Sequence, residues 1–196
     1  MSDTVKDPAR SSYYVDESFY ADLVAGFSDW QRDDRAIVDA AARDEARVLI
    51  HREARLLDRN QLQDWLGLFA AECLYWVPAT PEGGDPRREV AVCFDDRRRL
   101  EDRVYRLSTG NAWSQVPRSR TVHLVSNVEL FRGKDEATRM VRSNFVIHEF
   151  RAGETRHLAG WYGHQLVRSG KDWLIRVKQV TLLECDQNIR NPSIIF

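Results

Sequence analysis

No stretch of this 196-residue sequence is apolar for long enough to cross a bilayer, and its opening, MSDTVKDPARSSYY, has none of the apolar core of an export signal. The expectation is a soluble, cytoplasmic chain that meets no membrane. Charge of one sign is also missing: 29 Lys and Arg stand against 30 Asp and Glu. Nothing global would therefore draw in nucleic acid or an anionic surface. Cysteine is scarce. Cys73, Cys93 and Cys185 are widely separated and form no C-x-x-C pair, which excludes a disulfide scaffold and reads as reduced core thiols. The five histidines form no H-x-x-x-H, C-x-H or C-x-x-H pair, so a metal site could only be assembled from scattered residues, and no metal or cofactor is expected in this chain. His157 and His164 are an odd number of positions apart on one expected strand and so face opposite sides. Phosphate-binding glycine loops and a G-x-S-x-G elbow are absent too.

What is there suits one α+β domain of ordinary size, with 43% apolar residues. The stretch EARLLDRNQLQDWLGLFAAECLYWVP, Glu53 to Pro78, organises it. It reads as a helix end, a corner, a second helix carrying Leu62, Trp65, Leu66 and Phe69 on one face, and an edge or first strand, Leu74 to Val77, stopped by Pro78. Asp58-x-x-Gln61 has the spacing of a capping box for that second helix.

Upstream, residues 1–32 read as an N-terminal extension. Its first dozen residues are polar and loose, and an aromatic helix follows Asp16 with Phe19, Tyr20, Leu23, Phe27 and Trp30 at helical spacing. That helix either folds on its own core or clasps another subunit. Residues 33–196 read as a single domain. Its main helix runs from Asp33-Asp34 to about Leu57, with Glu53 set in the middle of an apolar stripe. A carboxylate there needs an arginine, a tyrosine or backbone donors, either as a structural ion pair or as a pocket acid. Residues 79–87 carry two prolines and two glycines and read as a mobile loop before a strand at 89–94. Asp95-Asp96 caps a third helix whose arginines, 97–99, 103 and 106, lie with Glu101 and Asp102 on its wet side. The loop 110–120 presents Trp113, Arg118 and Arg120 as candidates for a partner interface, although Trp113 folding back on its own domain is an equal reading.

The last third holds four β-rich segments, about 121–131, 138–150, 155–168 and 173–184, joined by short turns, which predicts an antiparallel meander. Val122, Leu124, Val128 and Leu130, and likewise Val141, Phe145 and Ile147, alternate as a buried face requires. The apolar ending SIIF is expected to dock on the sheet or on another chain. The one chemistry these residues permit is acid and base work by His123 with Glu53 or Asp58 across the sheet's concave face, in a stand-alone dehydratase, isomerase or cyclase. A lone strand histidine is more often a hydrogen-bonded structural residue.

Three ordered blocks carry a resemblance. EARLLDRNQLQDWLGLFAAECLYWVP, then DPRREVAVCFDDRRRLEDRVYRLSTGNAWSQVPRSRTVHLVSNVEL, then RSNF with AGWYGHQLVRSGKDWLIRVKQVTLLE and NPSIIF, are similar to the small, or β, subunits of bacterial Rieske-type aromatic-ring-hydroxylating dioxygenases. The likeness covers about residues 40–196; the aromatic N-terminal segment and ECDQNIRNP depart from it. It implies a cone-shaped, nuclear-transport-factor-like (cystatin-like) fold, with helices in a curved, mostly antiparallel sheet. It also implies a mainly structural subunit that assembles, with other β subunits, as α3β3. The α subunit would carry the Rieske 2Fe-2S cluster and the mononuclear Fe(II), fed from NAD(P)H through a separate reductase. The family supplies no catalytic residue to place on this chain.

Overall fold

The computed structural model describes residues 15–81 and 83–196; the polar stretch at 1–12 lies outside them. Helix α1 (Glu17–Gly26) begins where Asp16 accepts a hydrogen bond from the Phe19 N–H, and α2 (Ala40–Asp58) begins at the corresponding cap, Asp39. The main helix is thus shorter than expected, and Asp33–Arg35 forms a separate 3-10 turn ahead of it. After α2 come α3 (Leu62–Leu66), strand β1 (Phe69–Pro78), β2 (Ala91–Asp96) and α4 (Arg97–Ser108). Four long strands complete the chain: β3 (Arg120–Arg132), β4 (Thr138–Arg151), β5 (Glu154–Ser169) and β6 (Asp172–Leu182).

The six strands form one sheet in the order β2-β1-β6-β5-β4-β3. The meander β3 to β6 is antiparallel throughout, as the short turns predict, and β1 joins it parallel to β6. β1 is consequently an interior strand, with β2 antiparallel on its other side, and not an edge. Pro78 fits because it stands at the strand's end, where the register against β2 shifts. Phe69 opens this strand instead of closing the preceding helix, which stops one turn earlier at Leu66.

Alternation along β1 divides the core. Cys73, Tyr75 and Val77 point to the inner face, packed with α2, α3, α4 and the C-terminal Ile194, Ile195 and Phe196. Leu74 and Trp76 point to the outer face, where Phe19 and Leu23 of α1 cover them together with Val177. Trp30 covers Phe131 and Met140 further along that outer face. The aromatic helix therefore packs on its own chain's sheet. The C-terminus docks in the inner layer, where the Phe196 N–H donates to the Tyr75 hydroxyl at 3.0 Å.

Two expectations about faces are corrected. Val122 and Leu124 are 52% and 61% exposed, because His123 between them turns inward to meet Asp58 and a strand's period of two sends its neighbours out. The arginine helix is not wholly wet. Arg97 donates to the Leu66 and Phe69 carbonyls and pairs with Glu101, while Arg103 pairs with Asp95 at 2.6 Å. Asp96 caps α4 as expected.

Candidate functional site

The corner after α2 is made by Asn60 and not by a capping box. Asn60 adopts a left-handed φ of 53°, its N–H donates to the Leu57 carbonyl, and the Gln61 N–H reaches the Leu56 carbonyl. This is the Schellman pattern that ends helices. Asp58 is still helical, and Gln61, the N-cap of α3, makes no side-chain cap bond. The Asp58 carboxylate is free to cross to β3. There it accepts from the Thr121 hydroxyl at 3.0 Å, the His123 backbone N–H at 3.1 Å and His123 Nδ1 at 2.6 Å. Burial pushes the carboxyl's pKa up, but these bonds outweigh it and hold it below the ordinary range. Because the carboxylate only accepts, His123 Nδ1 carries a proton towards it. Nε2 is buried and has no hydrogen-bond partner.

Glu53 lies one layer deeper, buried against β5 and β6. It accepts from Lys178 Nζ at 2.9 Å and Trp65 Nε1 at 3.1 Å, and its second oxygen meets His164 Nε2 at 3.0 Å. The partners are thus a lysine, a tryptophan and a histidine, where an arginine, a tyrosine or backbone donors were expected. Burial pushes the Glu53 carboxyl up; Lys178 and His164 together more than reverse this and hold it well below the usual range. Burial lowers His164, and it lowers Lys178 as well. Lys178 also stands over the Tyr162 ring at 4.3 Å. Cross-strand pairing explains the gathering, since Tyr75, Lys178, His164 and Val141 are consecutive partners across β1, β6, β5 and β4. Sequence reasoning missed Lys178 and His164. Their one signal was a basic residue in phase with the inward Val180 and Leu182 on β6, and a histidine in phase with Tyr162 on β5.

Of the acid and base candidates, then, the structure joins His123 to Asp58 and sends Glu53 to His164. The space beside His123 is a cavity of about 50 Å³, lined by Leu57, Leu62, Arg118, Ser119, Ile194 and others. That is far below the several hundred Å³ of pockets that hold small organic substrates. Among the described residues, no group of three or more His, Cys, Asp and Glu side chains is placed to hold a metal ion. The thiols are buried, and burial pushes Cys73 up to about 12. His157 faces out beside His148 while His164 faces in, as their spacing requires. Trp113 is 86% exposed and does not fold back. Arg118, in the same loop, is exposed, and the Arg120 guanidinium lies over the Phe150 ring at 4.7 Å.

A six-stranded mixed sheet with α2, α3 and α4 packed on its inner face, and with that interior closed by packed and ion-paired side chains, defines the cystatin-like class of cone folds. A nuclear-transport-factor-like protein with a cystatin-like fold from Novosphingobium aromaticivorans superposes with a TM-score of 0.54 at 15% identity, over 94% of this chain and 100% of that one. Within that class the chain belongs to the ring hydroxylating beta subunit family, whose model matches residues 52–187. It is 38% identical over 128 residues to the small oxygenase component of the p-cumate 2,3-dioxygenase system of Pseudomonas putida, covering 64% of this chain and 71% of that protein. The crystal structure of the beta subunit of benzoate 1,2-dioxygenase from Burkholderia mallei matches with a TM-score of 0.64 and 28% identity, over 81% of this chain and 99% of that one.

Proposed function

We propose that this chain is the scaffolding β subunit of the oxygenase component of a cytoplasmic aromatic-ring-hydroxylating dioxygenase. It assembles with a catalytic α subunit as α3β3, and the α subunit holds the Rieske 2Fe-2S cluster and the mononuclear iron(II). Electrons from NAD(P)H reach the α subunit through a separate reductase. The observation that carries this reading is the family match across residues 52–187, which takes in both the Glu53 cluster and the Asp58–His123 pair. The filled interior supports it. A cone with about 50 Å³ beside the His123–Asp58 pair accommodates no arene there, whereas a scaffold needs only surface and rigidity. Trp113, Arg118 and Arg120 are the candidates for contact with the α subunit, and residues 1–32 are read as an appendage to a domain at 33–196.

The test is co-expression with the iron-bearing large subunit from the same host. The expected result is a brown hetero-oligomer of equal stoichiometry that oxidises an arene when reductase and NAD(P)H are supplied, while the chain alone is colourless and inactive. An isolated chain that binds iron and hydroxylates an arene would overturn the reading.

A further inference from the structure

The Asp58–His123 pocket has an unmet hydrogen-bonding demand, and the residues round it indicate what meets it. Most of the polar groups that share its wall are already engaged. Gln115 donates to Ser193 and accepts from the Ser119 N–H, the Ser119 hydroxyl is taken by Glu149, and that of Thr121 by Asp58. His123 Nε2 is not engaged, although its side chain is only 1% exposed. Leaving a buried polar nitrogen without a partner costs about 1–3 kcal/mol, so such an atom marks a place that something else completes.

Two features of the mouth define the partner. Arg118 lies at it, exposed, and among the described residues no carboxylate lies within ion-pair distance of its guanidinium. A groove of about 340 Å³ adjoins the pocket and shares Leu107 and Ser193 with it; it is lined by Arg106, likewise exposed and, among the described residues, without a carboxylate within ion-pair distance. Guanidiniums without counter-charges beside a desolvated ring nitrogen call for an acidic group that also takes part in one hydrogen bond. A volume of about 50 Å³ fits a carboxyl group, since a water molecule's share of the liquid is about 30 Å³.

Resting on the β-subunit reading, we propose that the catalytic subunit docks an acidic segment in the Arg106 groove and inserts one carboxylate into the pocket. One of its oxygens pairs with Arg118. The other forms a hydrogen bond with His123 Nε2, and docking breaks no covalent bond. The charged groups facing the imidazole are then Asp58 from α2, Arg118 from the 110–120 loop and the incoming carboxylate. The alternation of negative and positive groups compensates each charge. His123 is a positioning residue for the assembly and touches no substrate.

The experiment measures assembly with the large subunit by concentration-dependent size exclusion, for the wild-type chain, Arg118→Glu and His123→Phe. In parallel, ¹⁵N-histidine spectra are taken of the free β subunit and of the complex. Arg118→Glu is expected to unfold at the wild-type temperature and yet weaken assembly at least tenfold, with a reduced salt dependence. The Nε2 resonance of His123 is expected to shift on assembly as the nitrogen gains its hydrogen-bond partner. Thermal unfolding of His123→Phe separates a folding defect from a docking defect, and Arg118→Glu carries the test whichever is found. Assembly of Arg118→Glu within twofold of wild type, or an Nε2 resonance that does not move between the free subunit and the complex, overturns the proposal while leaving the subunit reading intact. A wild-type chain that fails to assemble removes both.

Discussion

Lys178→Met should destabilise the protein more than any surface change, and the size of the effect follows from the geometry of Glu53. In the wild type, two opposite charges with side chains 1% and 2% exposed face each other at 2.9 Å, with Trp65 and His164 completing the carboxylate's shell. Methionine matches the lysine in length, so little packing is lost; the carboxylate loses its counter-charge. Breaking a buried pair from one side costs about 3–5 kcal/mol. For a chain of this size that lowers the melting temperature by roughly 6–20 °C. Glu53→Leu with Lys178→Met removes both charges and should recover most of the loss, because a packed apolar pair is often neutral or better. The pH dependence supplies a second reading. The folded-state pKa of Glu53 is depressed below the unfolded value of 4.5, so its stabilisation is present above that value and lost as pH falls through the folded one. Without Lys178, burial raises that pKa against His164 alone. The variant then gains stability from Glu53 on acidification while the wild type's Glu53 contribution is still intact, so the gap between them narrows from pH 7 towards pH 5. Urea titrations of the wild type, Lys178→Met, Glu53→Leu and the double variant at both pH values measure this. A single variant within about 1 kcal/mol of wild type, or a double variant worse than either single one, would refute the ionised pair.

Asp58→Asn should weaken the clamp between the α2 corner and β3 by about 1.5–3 kcal/mol, read as a lower urea midpoint with unchanged slope, because it removes the charge from three hydrogen bonds. Gly160→Ala should cost several kcal/mol or abolish soluble expression, since the added methyl would sit 2.0 Å from the Thr181 carbonyl oxygen, which belongs to the β5–β6 backbone and cannot move aside. Trp113→Ala should leave the melting temperature within about 1–2 °C of wild type, consistent with its exposure, while lowering recovery of the large subunit in co-purification. Equal recovery would remove Trp113 from the interface.

The elements legible in the sequence are those set by local physics. Asp16 and Asp96 cap the helices they precede, and short turns fix the β3 to β6 meander to within a few residues. Glu53 was conspicuous because a carboxylate in an apolar stripe must find compensation. Its partners were not legible, since His164 and Lys178 lie 111 and 125 residues away and meet it only through the pairing of β5 with β6. Parallel insertion of β1 beside β6 was hidden for the same reason: a parallel neighbour leaves no hairpin turn in the sequence. At the α2 corner two local rules competed. Asp58-x-x-Gln61 has the spacing of a cap, but Asn60 takes the left-handed position and closes α2 two residues later, so the carboxylate is spent across the layers instead.

That single choice also sets which side of β3 is solvent-facing. A strand's side chains alternate, so drawing His123 in towards Asp58 obliges Val122 and Leu124 to face out, against their own hydrophobicity. Fully burying such side chains would be worth about 1.5–3 kcal/mol each, which a hydrogen-bonded histidine alone scarcely offsets. The register is held by the rest of the strand. Leu130 and Val125 keep to the inner core, and a bulge between Ser126 and Glu129 carries Asn127 at a φ of 51°, letting the two halves of β3 keep different phases. The first half of the strand therefore serves the pocket and the second half the core. A shift of one residue in the bulge would bury Val122 and Leu124 and eject His123, so the pocket exists only because β3 is broken at that point.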